Sequence, residues 1–370
     1  MAPLRFLHTA DLHLGKSFGG YAEADRLRVA RREVLGRLVA AARAFGATEI
    51  LVAGDLFETP NPAAATWRQA LAVMAEAEEL TWWLLPGNHD NLREGRATWD
   101  GIAERGHANV RVLDAPGPVA LRDDAVLMPA PVATRHGVDD PTAWMDGCPT
   151  AEGALRIGLA HGPVRAFGEG EAGDVLAPDR DRRAGLDYLA LGDWHGMIEL
   201  SERVRYSGAP ERTDFRHDGP GVCLAVEIAG PGALPVVTPV VTGAFDWRRV
   251  GLDLVPQDDA CARLDAVLPG GARRDAMVQV EARGRVPLRE ASALAAHAAA
   301  LAPDFAHFEL RDGGLGTEVE AVDLDAIAPS GALRRAGDGL ATAAGDAALS
   351  ERDRAVAAAA LRRLHALAVE

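Results

Sequence analysis

Between residues 4 and 85, short apolar runs alternate with amphipathic stretches of helical length, and this alternation constrains the fold more than any other feature of the sequence. Residues 4–10 form an apolar run of strand length. Residues 25–45 then place Leu27, Val34, Leu38, Ala41 and Phe45 on one helical face, with Gly46 where a helix C-terminus favours glycine. Residues 49–53 and 81–85 repeat the strand pattern on either side of an alanine-rich helical stretch at 62–79. Strands joined through helices run parallel, with the helices packed on the sheet, so the rhythm predicts an α/β fold.

Beyond residue 85 the pattern changes to short strands broken by Pro and Gly, at 110–113, 119–121 and 125–128, which predicts a mixed or second sheet. Apolar strands at 155–160 and 188–191 flank a long polar, arginine-rich loop, and 204–207, 222–228 and 236–241 continue the series. Around Gly243 the series is expected to stop. Residues 247–319 then read as strand, helix, strand, helix, strand, a compact α+β unit. Residues 328–346, rich in Ala and Gly, read as a linker. The last helix opens on the capping-box pattern Ser350 to Asp353 and carries Leu349, Val356, Ala360, Leu364 and Leu367 as its apolar face. A chain of 370 residues accommodates two domains, because one core seldom grows beyond about 250–300 residues. The expected divisions are 1–243, 244–325 and 326–370.

Composition excludes several classes. No apolar run approaches the roughly 18 residues of a membrane span. Residues 1–9 enter a strand without the charged and apolar segments of a secretion signal, so a cytoplasmic location is expected. Cys148, Cys223 and Cys261 are odd in number and form no CxxC pair, which argues against a disulfide framework or a thiolate zinc site. A net charge of -15 opposes loose, whole-surface attraction to nucleic acid, while a local field from cations and a few arginines can still act at one cleft.

Chemistry-bearing residues recur where the strands end. Asp11 and His13 stand two positions apart, so an extended chain projects both from one face. Asp55 follows the second strand in Ala53-Gly54-Asp55, and Asn88-His89-Asp90 follows the third after Pro86-Gly87. His161 closes the fourth, and Asp193 with His195, in Gly192-Asp193-Trp194-His195-Gly196, closes the fifth. A lone His or Gly-Asp at a strand end is ordinary. Oxygen and imidazole groups at five successive strand ends, where α/β sheets bind ligands, point to a centre for divalent cations.

Through Asp11-Leu12-His13, Gly54-Asp55, Gly87-Asn88-His89-Asp90, His161 and Gly192-Asp193-Trp194-His195, roughly residues 1–210 resemble the calcineurin-like metallophosphoesterases. Within that superfamily, Leu7-His8-Thr9-Ala10-Asp11-Leu12-His13-Leu14-Gly15, Gly54-Asp55-Leu56-Phe57 and Tyr206-Ser207-Gly208-Ala209-Pro210 are similar to SbcD- and YhaO-type DNA-repair nuclease subunits. The resemblance implies a four-layer α/β/β/α sandwich over 1–243 as nuclease domain, a small α+β capping domain over 244–325, and a linker with C-terminal helix over 326–370. It implies two divalent ions. Asp11, His13, Asp55 and His195 would hold one, and Asp55 would bridge to a second that also takes Asn88, His161 and Asp193. Manganese is the first choice, with iron, zinc or magnesium as alternatives.

The same resemblance implies that a water acidified between the ions attacks a DNA phosphodiester, and that His89 contacts the scissile phosphate and protonates the leaving oxygen. Asp90 is read as orienting that imidazole, or equally as stabilising its own turn. DNA and a coiled-coil ATPase subunit are the expected partners, and a homodimer stays open. One position departs from the family pattern Gly-His-x-His: Asp193 replaces a neutral ligand with an anion, which hardens the second site if it coordinates and weakens it if it does not. Arg180, Arg182 and Arg183 are candidates for substrate phosphate, since arginine pairs with phosphate through two parallel hydrogen bonds. Arg26, Arg28, Arg31 and Arg32 read at least as well as a solvated helix face, and Trp82 and Trp83 read as core. Two other functions stay open: a phosphatase or phosphodiesterase for small nucleotides or other phosphoesters, and a DNA-binding scaffold whose metal site Asp193 has crippled.

Overall fold

The computed structural model describes residues 2–135, 139–164 and 176–369, so residues 165–175 of the arginine-rich loop lie outside the described residues. The chain divides into two compact units, Met1–Asp246 and Trp247–Glu370. The first runs β1 (Leu4–Thr9), α1 (Ala24–Phe45), β2 (Glu49–Val52), α2 (Ala64–Glu76), β3 (Thr81–Leu84), α3 (Arg96–Ala103), β4 (Val110–Val112), β5 (Val119–Arg122), β6 (Ala125–Ala130), β7 (Leu155–His161), α4 (Arg180–Arg183), β8 (Tyr188–Gly192), β9 (Ile198–Glu199), β10 (Val204–Tyr206) and β11 (Gly219–Ile228), and it enters β12 (Val236–Leu254).

Two mixed sheets form its frame. In one, β1, β2, β3 and β4 lie parallel and β11 flanks β1 antiparallel. In the other, β6, β7, β8 and β10 are parallel, with β5 and β9 antiparallel at the edges. Strand alternation sorts the core. Phe6, Leu51 and Trp83 of the first sheet cluster with Leu127, Ile157 and Tyr188 of the second. Their sequence neighbours Leu7, Ile50, Val52 and Trp82 point the other way, onto Val34 and Leu38 of α1 and Leu71 and Met74 of α2. Each such fully buried aliphatic or aromatic side chain contributes about 1.5–3 kcal/mol. Gly46 ends α1 in the left-handed region at φ 73°, and its N–H reaches the carbonyls of Ala42 and Arg43.

The second unit continues from β12 through α5 (Ala260–Val267), β13 (Ala276–Pro287), α6 (Leu288–Leu301), β14 (His307–Glu318), α7 (Ala321–Ile327), α8 (Gly331–Gly345) and α9 (Glu351–Val369). The expected strand-helix-strand-helix-strand order is therefore present, with β13 and β14 parallel across the α6 crossover. Among the described residues, no helix is long and apolar enough to cross a membrane.

Several local expectations give way. The strand series does not stop at Gly243, because β12 runs through it to Leu254. A Cβ there would stand 2.3 Å from the Gly221 nitrogen, so this glycine permits two backbones to approach rather than breaking the strand. Residues expected as a linker form α8 instead. Alanine is the best helix former, and Gly337 lets Ile327 and Leu324 pack against that helix. Ser350 does cap α9 with Asp353, but the buried stripe is Ala357, Leu361 and His365, while Val356 and Leu367 are exposed. Arg31 belongs to the interior, where its guanidinium donates to the carbonyls of Leu12, Glu211 and Arg212. Trp82 and Trp83 are core residues, as expected.

Candidate metal centre

Parallel pairing of β1, β2 and β3 brings their carboxyl ends to one edge, and hydrogen bonds extend the ladder into the loops beyond. Asp11 N–H donates to the Gly54 carbonyl at 3.1 Å and His13 N–H to that of Asp55 at 3.0 Å. Among the described residues six non-glycine positions have positive φ, and four are Asp11 (56°), His13 (46°), Asp55 (53°) and Asp193 (103°). Such conformations cost about 1–3 kcal/mol each and persist only where the surroundings impose them, typically at functional sites. Three glycines make the convergence sterically feasible. A Cβ on Gly54 would lie 2.2 Å from His161 Nδ1, one on Gly87 2.2 Å from Asp55 Oδ1, and one on Gly192 2.0 Å from the Ala53 carbonyl.

The side chains assembled there face one another with acceptors and lone pairs. His13 Nε2 lies 3.1 Å from His195 Nε2 and 3.8 Å from Asp55 Oδ2. His161 donates from Nδ1 to the Ala53 carbonyl at 2.8 Å, which leaves its Nε2 facing Asp55 Oδ2 at 3.5 Å and Asp193 Oδ1 at 3.8 Å, too far for good hydrogen bonds. Asn88 donates to Asp193 Oδ1 at 3.0 Å, and its own Oδ1 is buried without a partner among the described residues. The Asp193 N–H reaches both carboxylate oxygens of Asp11, at 3.1 and 3.2 Å. Ligand atoms sharing one cation at bonds of about 2.1 Å stand about 3 Å apart when set at right angles, close to the spacing of the two imidazoles. The donor set thus fits divalent cations: two trios, Asp11 with His13 and His195, and Asp11 with Asp55 and His161, each keep their ligand atoms within 4.8 Å of one another.

Electrostatics carry the same message. Burial pushes the Asp11 carboxyl well above the usual carboxylate range and raises Asp193 as well. Burial also opposes a charge on Asp55, yet the imidazoles of His161, His13 and His89 outweigh it and hold that carboxyl well below its ordinary value. His161 is held high by Asp55, Asp11 and Asp193 against the opposing effect of burial. Burial lowers His13, and it lowers His195 to about 3, so both are neutral and competent to ligate. Three packed carboxylates, balanced chiefly by His161 while His13 and His195 stay neutral, are unfavourable in themselves and favourable around a cation.

Of the residues singled out by the strand-end motifs, the seven expected as ligands, Asp11, His13, Asp55, Asn88, His161, Asp193 and His195, come together in this assembly. His89 adjoins it: its N–H donates to Asp55 Oδ1 at 2.9 Å, its Nδ1 lies 3.0 Å from the Glu58 carbonyl, and its ring meets that of His13 edge-on at 4.7 Å. Asp90 does not hold this imidazole. Its buried carboxylate accepts from Gly87 N–H at 2.7 Å and Phe57 N–H at 3.0 Å, the turn-stabilising alternative, and burial raises its pKa to about 7. Arg180 is buried, with its guanidinium on Asp140 at 2.7 Å and Asp146 at 2.5 Å, so it secures its own loop instead of offering donors to a phosphate. Arg183 shares Asp146 at 2.7 Å, and Arg182 is exposed. One contributor lies outside the strand-end motifs. Glu58, just past Gly54-Asp55-Leu56-Phe57, sits 3.0 Å from His13 Nδ1 and 3.0 Å from the amine of Lys16, which is the only lysine in the chain. That solitary lysine is the signal the sequence offers for it.

Comparison with known proteins supplies the relationship. The model of the calcineurin-like phosphoesterase family matches residues 4–197. The D subunit of the nuclease SbcCD from Rhodobacter capsulatus is 28% identical over 328 residues, covering 74% of this chain and 78% of that protein. Its counterpart from Bacillus subtilis is 34% identical over 91 residues, 24% of this chain and 22% of the relative's length. Among solved structures, TT1561 of Thermus thermophilus aligns with a TM-score of 0.41 and 14% identity, over 64% of this chain and 99% of that one.

Proposed function

The chain belongs to the calcineurin-like phosphoesterases, and from that membership we propose that it is a two-cation phosphodiesterase acting on DNA, as exonuclease, endonuclease or both. One observation carries the proposal: buried carboxylates and imidazole lone pairs converge at the strand ends, where His161 Nε2 and Asn88 Oδ1 find no hydrogen-bond partner among the described residues. Asp11, His13, Asp55 and His195 hold one cation, and Asp55, Asn88, His161 and Asp193 hold the other, with manganese favoured because the set is rich in oxygen. Bound there, the ions supply an acidified water and the positive charge that offsets the transition state of phosphoryl transfer. The protein does the rest. The left-handed turns keep the donors in place, and Asp55 ties the neighbouring loops together by accepting from His13 N–H at its carbonyl and from His89 N–H at its carboxylate. His89, with Nδ1 anchored on the Glu58 carbonyl, presents Nε2 to the phosphate and passes a proton to the leaving oxygen.

DNA is the preferred substrate because the longer-matching relative is named as a nuclease subunit. By the motif resemblance, and not by that name, the first unit is read as the nuclease domain with an α/β/β/α sandwich, the elements after it as a capping domain, and a coiled-coil ATPase as the partner. The net charge of -15 and the anionic Asp193 favour a second reading, a phosphatase or phosphodiesterase for small nucleotides. Purified protein incubated with Mn2+ and either labelled DNA or a small phosphodiester separates the two. The expected result is DNA cleavage that His89→Ala abolishes while the variant retains its cations. Turnover of the small ester alone selects the second reading, and a protein that takes up no divalent cation refutes both.

A further inference from the structure

We propose that Glu58 is a positioning residue of the metal centre, fixing His13 through its carboxylate and His89 through its main-chain carbonyl. The inference rests on the two-cation reading. Glu58 Oε2 lies 3.0 Å from His13 Nδ1, and the second carboxylate oxygen lies 3.0 Å from Lys16 Nζ. An imidazole nitrogen set against a carboxylate carries its proton on that side, which leaves the lone pair on the other nitrogen. On His13 that other atom is Nε2, the one that faces His195 Nε2 and Asp55 Oδ2. The negative charge behind the ring also makes Nε2 a stronger donor to a cation. Main-chain geometry repeats the arrangement one ring away, where His89 Nδ1 lies 3.0 Å from the Glu58 carbonyl, so that its Nε2 is the nitrogen not engaged by Glu58. Lys16 keeps the carboxylate from turning away, and a side chain only a quarter exposed has few other places to go.

His13, Glu58 and His89 also bring ligand atoms within 4.8 Å of one another, the spacing of a third cation site. The hydrogen bond between His89 Nδ1 and the Glu58 carbonyl gives that nitrogen a proton and leaves it no lone pair for a cation, whereas His13 Nδ1 and Glu58 Oε2 meet at 3.0 Å without hydrogen-bond geometry, so the number of cations bound decides between support and a third site.

The test is calorimetric titration of the metal-free protein with Mn2+, for wild type, Glu58→Gln and Glu58→Ala, beside the melting temperature of each metal-free form. Wild type should show two binding steps. Glu58→Ala should weaken one of them by about 10–100-fold and leave the other alone, the usual cost of losing a residue that orients a ligand. Glu58→Gln, whose amide oxygen still accepts from Nδ1 but carries no charge, should fall between, with an unchanged metal-free melting temperature. Two outcomes overturn the assignment to a supporting role: wild-type affinities at both steps in Glu58→Ala, or three cations in wild type against two in that variant. A joint fall of both steps and of metal-free stability would make Glu58 a packing residue and overturn it too. Failure of wild type itself to bind Mn2+ removes the two-cation reading on which this rests.

Discussion

Replacing Gly54 by alanine probes how the first unit builds its centre. The residue sits at φ 89°, and a Cβ would lie 2.2 Å from His161 Nδ1 and 2.5 Å from its Cγ. A non-glycine residue in the left-handed region costs about 1–2 kcal/mol. The imidazole is fully buried between sheet ends and has to shift, breaking its 2.8 Å bond to the Ala53 carbonyl; a lost buried hydrogen bond adds about 1–2 kcal/mol. Gly54→Ala should therefore lower metal-free stability by about 2–4 kcal/mol, read from the urea midpoint, and weaken the cation held through His161 by more than about tenfold, read by titration. Gly36→Ala is the control of opposite sign. That glycine lies in α1 with nothing within 4 Å of where a methyl would stand, so alanine should stabilise by about 0.5–1 kcal/mol. If Gly54→Ala matches wild type in both midpoint and cation affinity, the claim that glycine contact braces His161 is wrong.

Other perturbations test separate parts of the argument. Asp193→His replaces a hard anionic donor with imidazole, so competition titrations should show the second site shifting toward Zn2+ over Mn2+; unchanged selectivity would mean that Asp193 does not ligate. His8 is buried, donating from Nε2 to the Leu191 carbonyl and accepting at Nδ1 from the Tyr188 hydroxyl, and burial lowers its pKa from 6.5 to about 3. Below pH 6.5 the unfolded chain takes up a proton that the folded chain refuses, so this contribution is complete above pH 6.5 and is lost toward pH 3, a change of about 5 kcal/mol over the window. Metal-free His8→Gln should show a correspondingly flatter loss of stability between about pH 7 and 4, and an acid limb parallel to wild type would contradict that account. Arg180→Ala strands two aspartates and should cost about 3 kcal/mol with no change in KM for a phosphodiester; a raised KM at unchanged stability would restore a phosphate contact.

The parts of the centre legible in the sequence are those that short-range rules encode. Gly-Asp and Gly-Asn-His at strand ends announce both a tight turn and a donor, and parallel pairing of neighbouring strands is enough to bring Asp11, Asp55 and Asn88 to one edge. What stays hidden depends on contacts distant in sequence. Arg180 looks like a phosphate binder until Asp140 and Asp146 are seen beside it. Asp90 reads equally as the partner of the adjacent His89 or as a brace of its own turn, and only the N–H groups of Gly87 and Phe57 decide for the turn. Gly243 and Gly337 read as breaks, since a glycine that ends an element and one that admits a neighbouring backbone or side chain are identical in sequence. The apolar face of α9 reads one position away from the buried one because Ala357 and His365 carry too little hydrophobic signal to outweigh Val356 and Leu367.

Lys16 gives the centre a chemical address. Every other basic side chain among the 39 Lys and Arg residues is a guanidinium, which acylating and reductively alkylating reagents pass over, so amine-directed labelling meets a single side-chain target in the sequence, 3.0 Å from Glu58. Acylation there would strip the carboxylate of its cationic neighbour while leaving each metal-facing atom untouched, and a reporter attached at that point would sit on the back wall of the site without a single codon being altered.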